Sequence, residues 1–315
     1  MVKKIAFIFP GQGSQSVGMG KDLYENFDAA KNVFDTADKV LGKSITTICF
    51  EGPEEDLKQT VNTQPAIVTM SIASLEALKS ELDIVPCATA GHSLGEYCAM
   101  YASGVMDLET TLKAIQKRAD LMGQTKGGAM AAVLNAPEGS VEKALKEASS
   151  VGYVDVANYN SPAQVVITGD EAAVKKAGEL LSEAGAKRVV PLAVSGAFHS
   201  KFMEDAGHEF ASFVSDLELQ NAQTPVFTNV DANATILAAE FKNKMPRQIY
   251  SSVHWTQTIE NMVDDGIDTF IEIGPGKVLA GLNKKINAEI KTFNIYDKVS
   301  LEATIAALKE EPALA

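Results

Sequence analysis

The chain has 315 residues, 46% hydrophobic and 22% charged, enough for a large core in one main domain plus a smaller one. A net charge of −13 excludes general nucleic-acid binding, which needs a basic surface to neutralise phosphate. No apolar run suits a signal peptide or a membrane span, and three cysteines without metal-like spacing fit reduced thiols, so a cytoplasmic protein without disulfides or a structural metal is expected.

Residues 3–9, KKIAFIF, read as a buried opening strand that runs straight into Pro10-Gly11-Gln12-Gly13-Ser14-Gln15. This loop lacks both the dinucleotide glycine spacing and the lysine of a P-loop, which argues against nucleotide. It is either an ordinary loop ahead of a helix over 22–41 or a loop that carries a backbone N–H, at Gln12, to a reacting group. Residues 64–80 predict a long core helix with Ile67, Met70, Ile72, Leu75 and Leu78 as its apolar positions.

Residues 84–89, an apolar run broken by Pro86, lead into Gly91-His92-Ser93-Leu94-Gly95, and a helical pattern with Tyr97, Cys98 and Tyr101 follows. Strand, tight turn and helix around Gly-x-Ser-x-Gly are the context in which a serine hydroxyl is exposed as a nucleophile. The residue after it, Leu94, offers its N–H at a helix start, where a developing oxyanion is favoured. A further helix over 107–122, closed by Gly123, places Arg118 beside its apolar stripe. The chain has only three arginines, and this one is either a surface side chain over the core edge or a bidentate fork for a carboxylate.

Residues 129–134, 140–149, 154–158, 164–169, 171–184 and 189–194 alternate as βαββαβ, the ferredoxin-like order. They define an inserted subdomain over 127–195 within a core domain of 1–126 and 196–315. Residues 158–162, NYNSP, read as a polar turn, with Asn160 either a turn residue or a side chain at the cleft. Among four histidines, His92 adjoins the serine but points away from it, His254 adjoins a tryptophan and reads as packing, and His208 lies on the far side of any helix shared with His199. His199, in a loop after Gly196 and Ala197, is either a general base delivered from a separate segment or a packed or capping residue. Strands over 225–229, 267–273 and 290–295, with helices near 238–250 and 257–263, complete an α/β fold with a parallel sheet, and Gly274-Pro275-Gly276-Lys277 turns at its cleft end. The acidic tail after Leu308 is the one stretch expected outside regular structure.

Six ordered motifs spread over nearly the whole chain resemble the malonyl-CoA:acyl carrier protein transacylases and the related acyltransferase domains of polyketide synthases. They are FPGQGSQ at 9–15, GHSLGEY at 91–97, QKRADLM at 116–122, NYNSP at 158–162, GAFHS at 196–200 and EIGPGKVL at 272–279. The resemblance implies a hydrolase-like α/β core domain carrying the ferredoxin-like insert. It also implies Ser93 as the nucleophile, His199 as its base, the N–H groups of Gln12 and Leu94 as the oxyanion hole, and Arg118 as the clamp on the malonyl carboxylate. Gln248, in the Arg247-Gln248 pair, is implied to orient His199 through its main-chain carbonyl, so that no acidic triad member is needed. Asn160 is implied near the substrate, and Phe198 to leave little room for a methylmalonyl branch.

The implied reaction is ping-pong transfer of malonyl from coenzyme A to the phosphopantetheine thiol of holo acyl carrier protein, with no cofactor, by a protein serving fatty acid biosynthesis. Acyl carrier protein is acidic, as is this chain, so a local basic patch is expected, with Lys187 and Arg188 or Lys284 and Lys285 as its members. A monomer is expected, since no long apolar helix is left unexplained. The rivals are a serine hydrolase, which places an Asp or Glu between Ser and His in chain order, and a binding module without a working Ser–His pair.

Overall fold

Every residue of β1 (Ile5–Phe9) is buried, because the strand is covered on both faces. Ile5, Phe7 and Phe9 point into one hydrophobic cluster, while Ala6 and Ile8 point into another with Ala88, Ala90, Trp255 and Phe270. The computed structural model describes residues 4–194 and 196–310. Lys3 of the predicted opening strand, the boundary residue Ser195 and the tail beyond 310 lie outside them.

The remaining strands are β2 (Ala88–Gly91), β3 (Ala129–Leu134), β4 (Val154–Ser161), β5 (Gln164–Gly169), β6 (Arg188–Pro191), β7 (Val226–Phe227), β8 (Ala234–Thr235), β9 (Thr269–Ile273) and β10 (Lys291–Ile295). One sheet has the order β10-β9-β1-β2-β7-β8, parallel except for the β7–β8 pair. The other, β4-β5-β3-β6, is antiparallel and packs helices Ser140–Ala148 and Glu171–Glu183, giving the ferredoxin-like arrangement expected of the insert. β4 is tied to the segment ahead of helix Trp255–Asp264, where the Tyr159 N–H donates to the Val253 carbonyl (2.9 Å) and the Val253 N–H to the Ala157 carbonyl (2.8 Å).

Several boundaries differ from the sequence expectation. The strand before the serine is not 84–89 but β2, because Pro86 has no N–H to give the ladder and pairing with β1 begins at Ala88 opposite Ala6. The helix expected over 22–41 is two, Lys21–Asn26 and Asp28–Leu41, broken at Phe27 in an extended conformation. The 107–122 helix runs on through Gly123 to Gln124. Residues 158–161 are not a turn: they extend β4, with register shifts that absorb their irregularity. The strand expected over 189–194 ends at Pro191, and residues 309–310 of the expected loose tail complete helix Lys298–Glu310.

The long helix, Thr60–Glu81, carries Pro65 in its second turn. Proline removes the bond that the Val61 carbonyl would accept. Lys43 Nζ (2.9 Å) and Gln116 Nε2 (3.3 Å) donate to that carbonyl instead. The helix is thereby fastened to helix Leu108–Gln124, the one that bears Arg118.

Candidate active site

β1, β2 and β9 end side by side, and at their carboxyl ends the chain makes three turns, at 10–15, 91–95 and 274–277. This is where open parallel sheets hold ligands. The serine turn is tight enough to demand its glycines. A Cβ on Gly91 would lie 2.0 Å from Gly95 backbone atoms, and one on Gly95 would lie 2.3 Å from the Phe9 carbonyl oxygen. Ser93 itself has φ 51°, a left-handed conformation that costs a non-glycine residue roughly 1–2 kcal/mol and that the surroundings must hold in place.

Ser93 Oγ lies 2.8 Å from His199 Nε2. The other ring nitrogen, Nδ1, faces two main-chain carbonyls, Gln248 at 3.0 Å and Ser251 at 3.1 Å. Carbonyls only accept, so Nδ1 carries the hydrogen and Nε2 presents its lone pair to the serine. Burial, then the charge of Arg118, then His92 push the His199 pKa down to about 3, so the ring is neutral and ready to take a proton.

Arg118 has no exposed surface. Its Nη1 donates to Gln64 Oε1 (2.7 Å), and its Nη2 to Gln248 Oε1 (3.0 Å) and Ser93 Oγ (3.0 Å), while Nε has no partner. All these acceptors are uncharged, and burial lowers the guanidinium pKa. The guanidinium also lies 5.7 Å from the Tyr97 ring centroid and feels Glu96, but a buried cation hydrogen-bonded only to amides and a hydroxyl still leaves room for an anion at close range. It borders a cavity of about 110 Å³ lined also by Gln12, Met122, Met130, Phe198 and His199.

The cavity opens through Gln12, His92, Asn158 and Leu192 onto a groove of about 380 Å³ between the two sheets, where Asn160, Gln164, Leu279 and Lys285 stand. Gly11 passes over His92 so closely that a Cβ would meet the His92 oxygen at 2.7 Å, which brings Gln12 to the edge of the cavity. The loop is braced from within: Ser14 Oγ donates to the Gly11 carbonyl (2.7 Å) and the Gly13 N–H to Gln15 Oε1 (2.8 Å). Neither the Gln12 nor the Leu94 N–H donates to another described residue.

The remaining expected residues fall as follows. Asn160 is a buried strand residue whose Oδ1 lies 2.8 Å from His92 Nε2, so His92 faces the insert and not Ser93. His254 stacks on Tyr159 with centroids 5.3 Å apart, and His208 packs edge-on to Tyr250. Lys284 and Lys285 are exposed at the end of helix Val278–Ile286, and Lys285 lines the groove. Lys187 and Arg188 are exposed at the start of β6 and do not line it.

Sequence reasoning missed Gln64, Asn229, Ser251 and Glu96. Gln248 also does more than expected, since its Nε2 donates to the Ser93 carbonyl (2.8 Å) as its own carbonyl faces His199. The one available signal was a glutamate in GHSLGEY followed by apolar residues. Glu96 is 1% exposed, burial pushes its pKa up to about 7, and Oε2 accepts the Asn229 N–H at 2.6 Å. Among the described residues no group of three or more His, Cys, Asp or Glu side chains is placed to hold a metal, and no helix is long and apolar enough to cross a membrane.

Comparison with known proteins places these features in a family. The sequence pattern of the acyl transferase domain family matches residues 6–307. The chain is 43% identical over 314 residues, 98% of its length and 99% of the relative's, to the malonyl CoA-acyl carrier protein transacylase of Bacillus subtilis. A crystal structure of an acyl carrier protein S-malonyltransferase from Vibrio cholerae, 41% identical, superposes with a TM-score of 0.92 over 96% of this chain and all of that one. A malonyl-transacylase solved in complex with its type II polyketide acyl-carrier protein, 37% identical, gives 0.94 over 98% of this chain and all of that one. The chain belongs to the acyl transferase domain family.

Proposed function

We propose that this protein transfers the malonyl group of malonyl-CoA to the phosphopantetheine thiol of holo acyl carrier protein, through a malonyl ester on Ser93, in fatty acid biosynthesis. The observation that carries this reading is the fully buried Arg118, with no carboxylate among the described residues hydrogen-bonded to it, 3.0 Å from the hydroxyl that His199 is placed to deprotonate. A plain esterase has no use for a buried cation beside its nucleophile, whereas an acyl group ending in a carboxylate does.

His199 Nε2 takes the Ser93 proton as Oγ attacks the thioester carbonyl, and the Gln12 and Leu94 N–H groups receive the oxyanion. The carbon–sulfur bond breaks and the coenzyme A thiolate takes the proton back from His199. The carrier-protein thiol then gives its proton to His199, attacks the ester carbonyl, and Ser93 leaves with that proton, so the kinetics are ping-pong. Gln248 and Ser251 hold the His199 tautomer through their carbonyls. Asn160 faces the pantetheine arm from the groove, and Phe198, 5% exposed, closes the acyl cavity to a branched methylmalonyl group.

The proposal includes two domains, 1–126 with 196–315 and the insert 127–195, acting as a cytoplasmic monomer without metal, cofactor or nucleic acid. Three free cysteines, two of them buried, fit a reducing compartment. Intact mass after brief exposure to malonyl-CoA tests the function. A malonyl adduct is expected on the wild type, absent from Ser93→Ala, discharged quickly by holo acyl carrier protein and slowly by water. Discharge by water at the same rate would make the protein a hydrolase, and no adduct would leave only binding.

Carrier-protein docking is assigned to the basic residues at the groove. Reversing Lys284 and Lys285 to glutamate is expected to raise the carrier-protein KM about tenfold, since two rim charges contribute about 1 kcal/mol or less each. The same reversal at Lys187 and Arg188, farther from the groove, is expected to do less. Unchanged KM in both variants, at low ionic strength, would rule out both patches.

A further inference from the structure

We infer that Asn229 is a positioning residue for the nucleophile: its side chain ties up the Ser93 N–H, so that the oxyanion is received by Leu94 and Gln12 and not by the serine's own peptide. The inference rests on Ser93 carrying the acyl group, and it concerns what holds that serine in its left-handed conformation.

Both peptide groups of Ser93 are engaged by amide side chains from other segments. Its N–H donates to Asn229 Oδ1 (2.8 Å) and its carbonyl accepts from Gln248 Nε2 (2.8 Å). Asn229 also reaches back along the turn, where its Nδ2 donates to the Gly91 carbonyl at 2.7 Å. One side chain therefore spans the turn from its first glycine to its serine. Such a clamp fixes φ at Ser93, because the N–H cannot swing without breaking the bond to Oδ1.

Asn229 is itself immobilised. It has no exposed surface; its N–H donates to Glu96 Oε2 (2.6 Å), and its carbonyl accepts the His254 N–H (3.1 Å). It follows β7, the strand that pairs with β2, so sheet order brings it against the serine turn. Glu96, in the first turn of the helix that starts after the serine, thus holds the residue that holds the serine. The bond to Oδ1 consumes a donor that a nucleophilic serine can otherwise offer to its own tetrahedral intermediate. The free N–H of Leu94, directly after Ser93, and that of Gln12, at the cavity edge, remain for that purpose.

The test is rapid-quench formation of the malonyl-enzyme in wild type, Asn229→Ala and Asn229→Asp. Competent serines are counted by fluorophosphonate labelling taken to completion, and melting temperatures are recorded alongside. Asn229→Ala is expected to acylate about 100-fold more slowly per competent site, the scale of a misaligned oxyanion hole, with half-saturating malonyl-CoA within twofold of wild type. Asn229→Asp keeps an oxygen opposite the Ser93 N–H but loses the donor to Gly91, and a loss of about tenfold is expected. A purely structural role would lower the count of competent sites or the melting temperature and leave the rate per site intact. Per-site rates within twofold of wild type in both variants, or a loss confined to the half-saturating concentration, would overturn the inference. If Asn229→Ala does not fold, the Asp variant decides by the same criterion. No adduct on the wild type would instead sink the transferase reading itself.

Discussion

Replacing Arg118 with alanine is expected to lower kcat/KM for malonyl-CoA by about 10²–10³-fold, since truncating one member of a buried charge pair costs roughly 2–5 kcal/mol. Acetyl-CoA, which never offered a carboxylate, is expected to change by only a few-fold, so the preference between the two substrates collapses. The size follows from the site. At rest Arg118 hydrogen-bonds only Gln64, Gln248 and the serine, its Nε is unsatisfied, and the acidic charge it feels, that of buried Glu96, does not hydrogen-bond it. A malonyl carboxylate entering the adjoining cavity supplies the missing charge and a bidentate geometry at once. An acetyl methyl there sets an apolar group against a buried cation, and discrimination arises from that mismatch. Arg118→Lys keeps the charge without the fork or the simultaneous bonds to Gln64 and Gln248, and is expected to recover only a small part of the loss. Initial rates with both thioesters decide the matter, and a malonyl-to-acetyl ratio unchanged in Arg118→Ala would remove Arg118 from substrate recognition.

What could be read from the sequence depended on how far apart the interacting groups lie along the chain. The Gly-x-Ser-x-Gly turn is local, so its strand, turn and helix announce it within a dozen residues. The βαββαβ order was legible because six short elements, with four switches between strand and helix periodicity, follow one another in under seventy residues. Elimination among four histidines narrowed the candidate base to His199, and the family resemblance implied its role. Asn229 was not, since 136 residues separate it from Ser93 and its Thr-Asn-Val-Asp context resembles any turn. Only the pairing of β7 with β2 turns that distance into a hydrogen bond. The turn reading of residues 158–161 failed for a related reason: Asn-Tyr-Asn-Ser-Pro has turn chemistry, but its backbone is claimed by the ladder to β5 and by Val253, so tertiary pairing overrides local preference, while Asn160 does stand at the groove. Arg118 shows the limit of periodicity. Its place beside an apolar stripe is equally compatible with a surface side chain and with full burial, and the packing of helix Thr60–Glu81, which supplies Gln64, decides between them.

His199→Ala is expected to slow acylation of Ser93 by at least about 10³-fold, within the range for loss of a positioned general base. The pH dependence gives the sharper check. Below its pKa the ring is protonated at Nε2 and cannot accept the serine proton, so the base sets the acid limb of the profile. An ordinary histidine would place that limb near pH 6.5. Burial, with Arg118 as the next cause, moves His199 down to about 3, so kcat/KM, which reports the free enzyme, is expected to be flat from about pH 5 to 8. Removing the Arg118 charge removes the second of those causes and leaves the first. In Arg118→Ala, assayed with acetyl-CoA to avoid titrating a substrate carboxylate, the acid limb is therefore expected to move upward and still lie below pH 6.5. A wild-type limb centred near pH 6.5 would show that His199 is solvated in the working enzyme. A limb that does not move in Arg118→Ala would show that the guanidinium charge is not felt at the base. The upward shift would mean that one cation sets both the choice of acyl group and the basicity of the residue that starts the reaction, and that a bound malonyl carboxylate, by neutralising it, strengthens the base only when the right substrate is present.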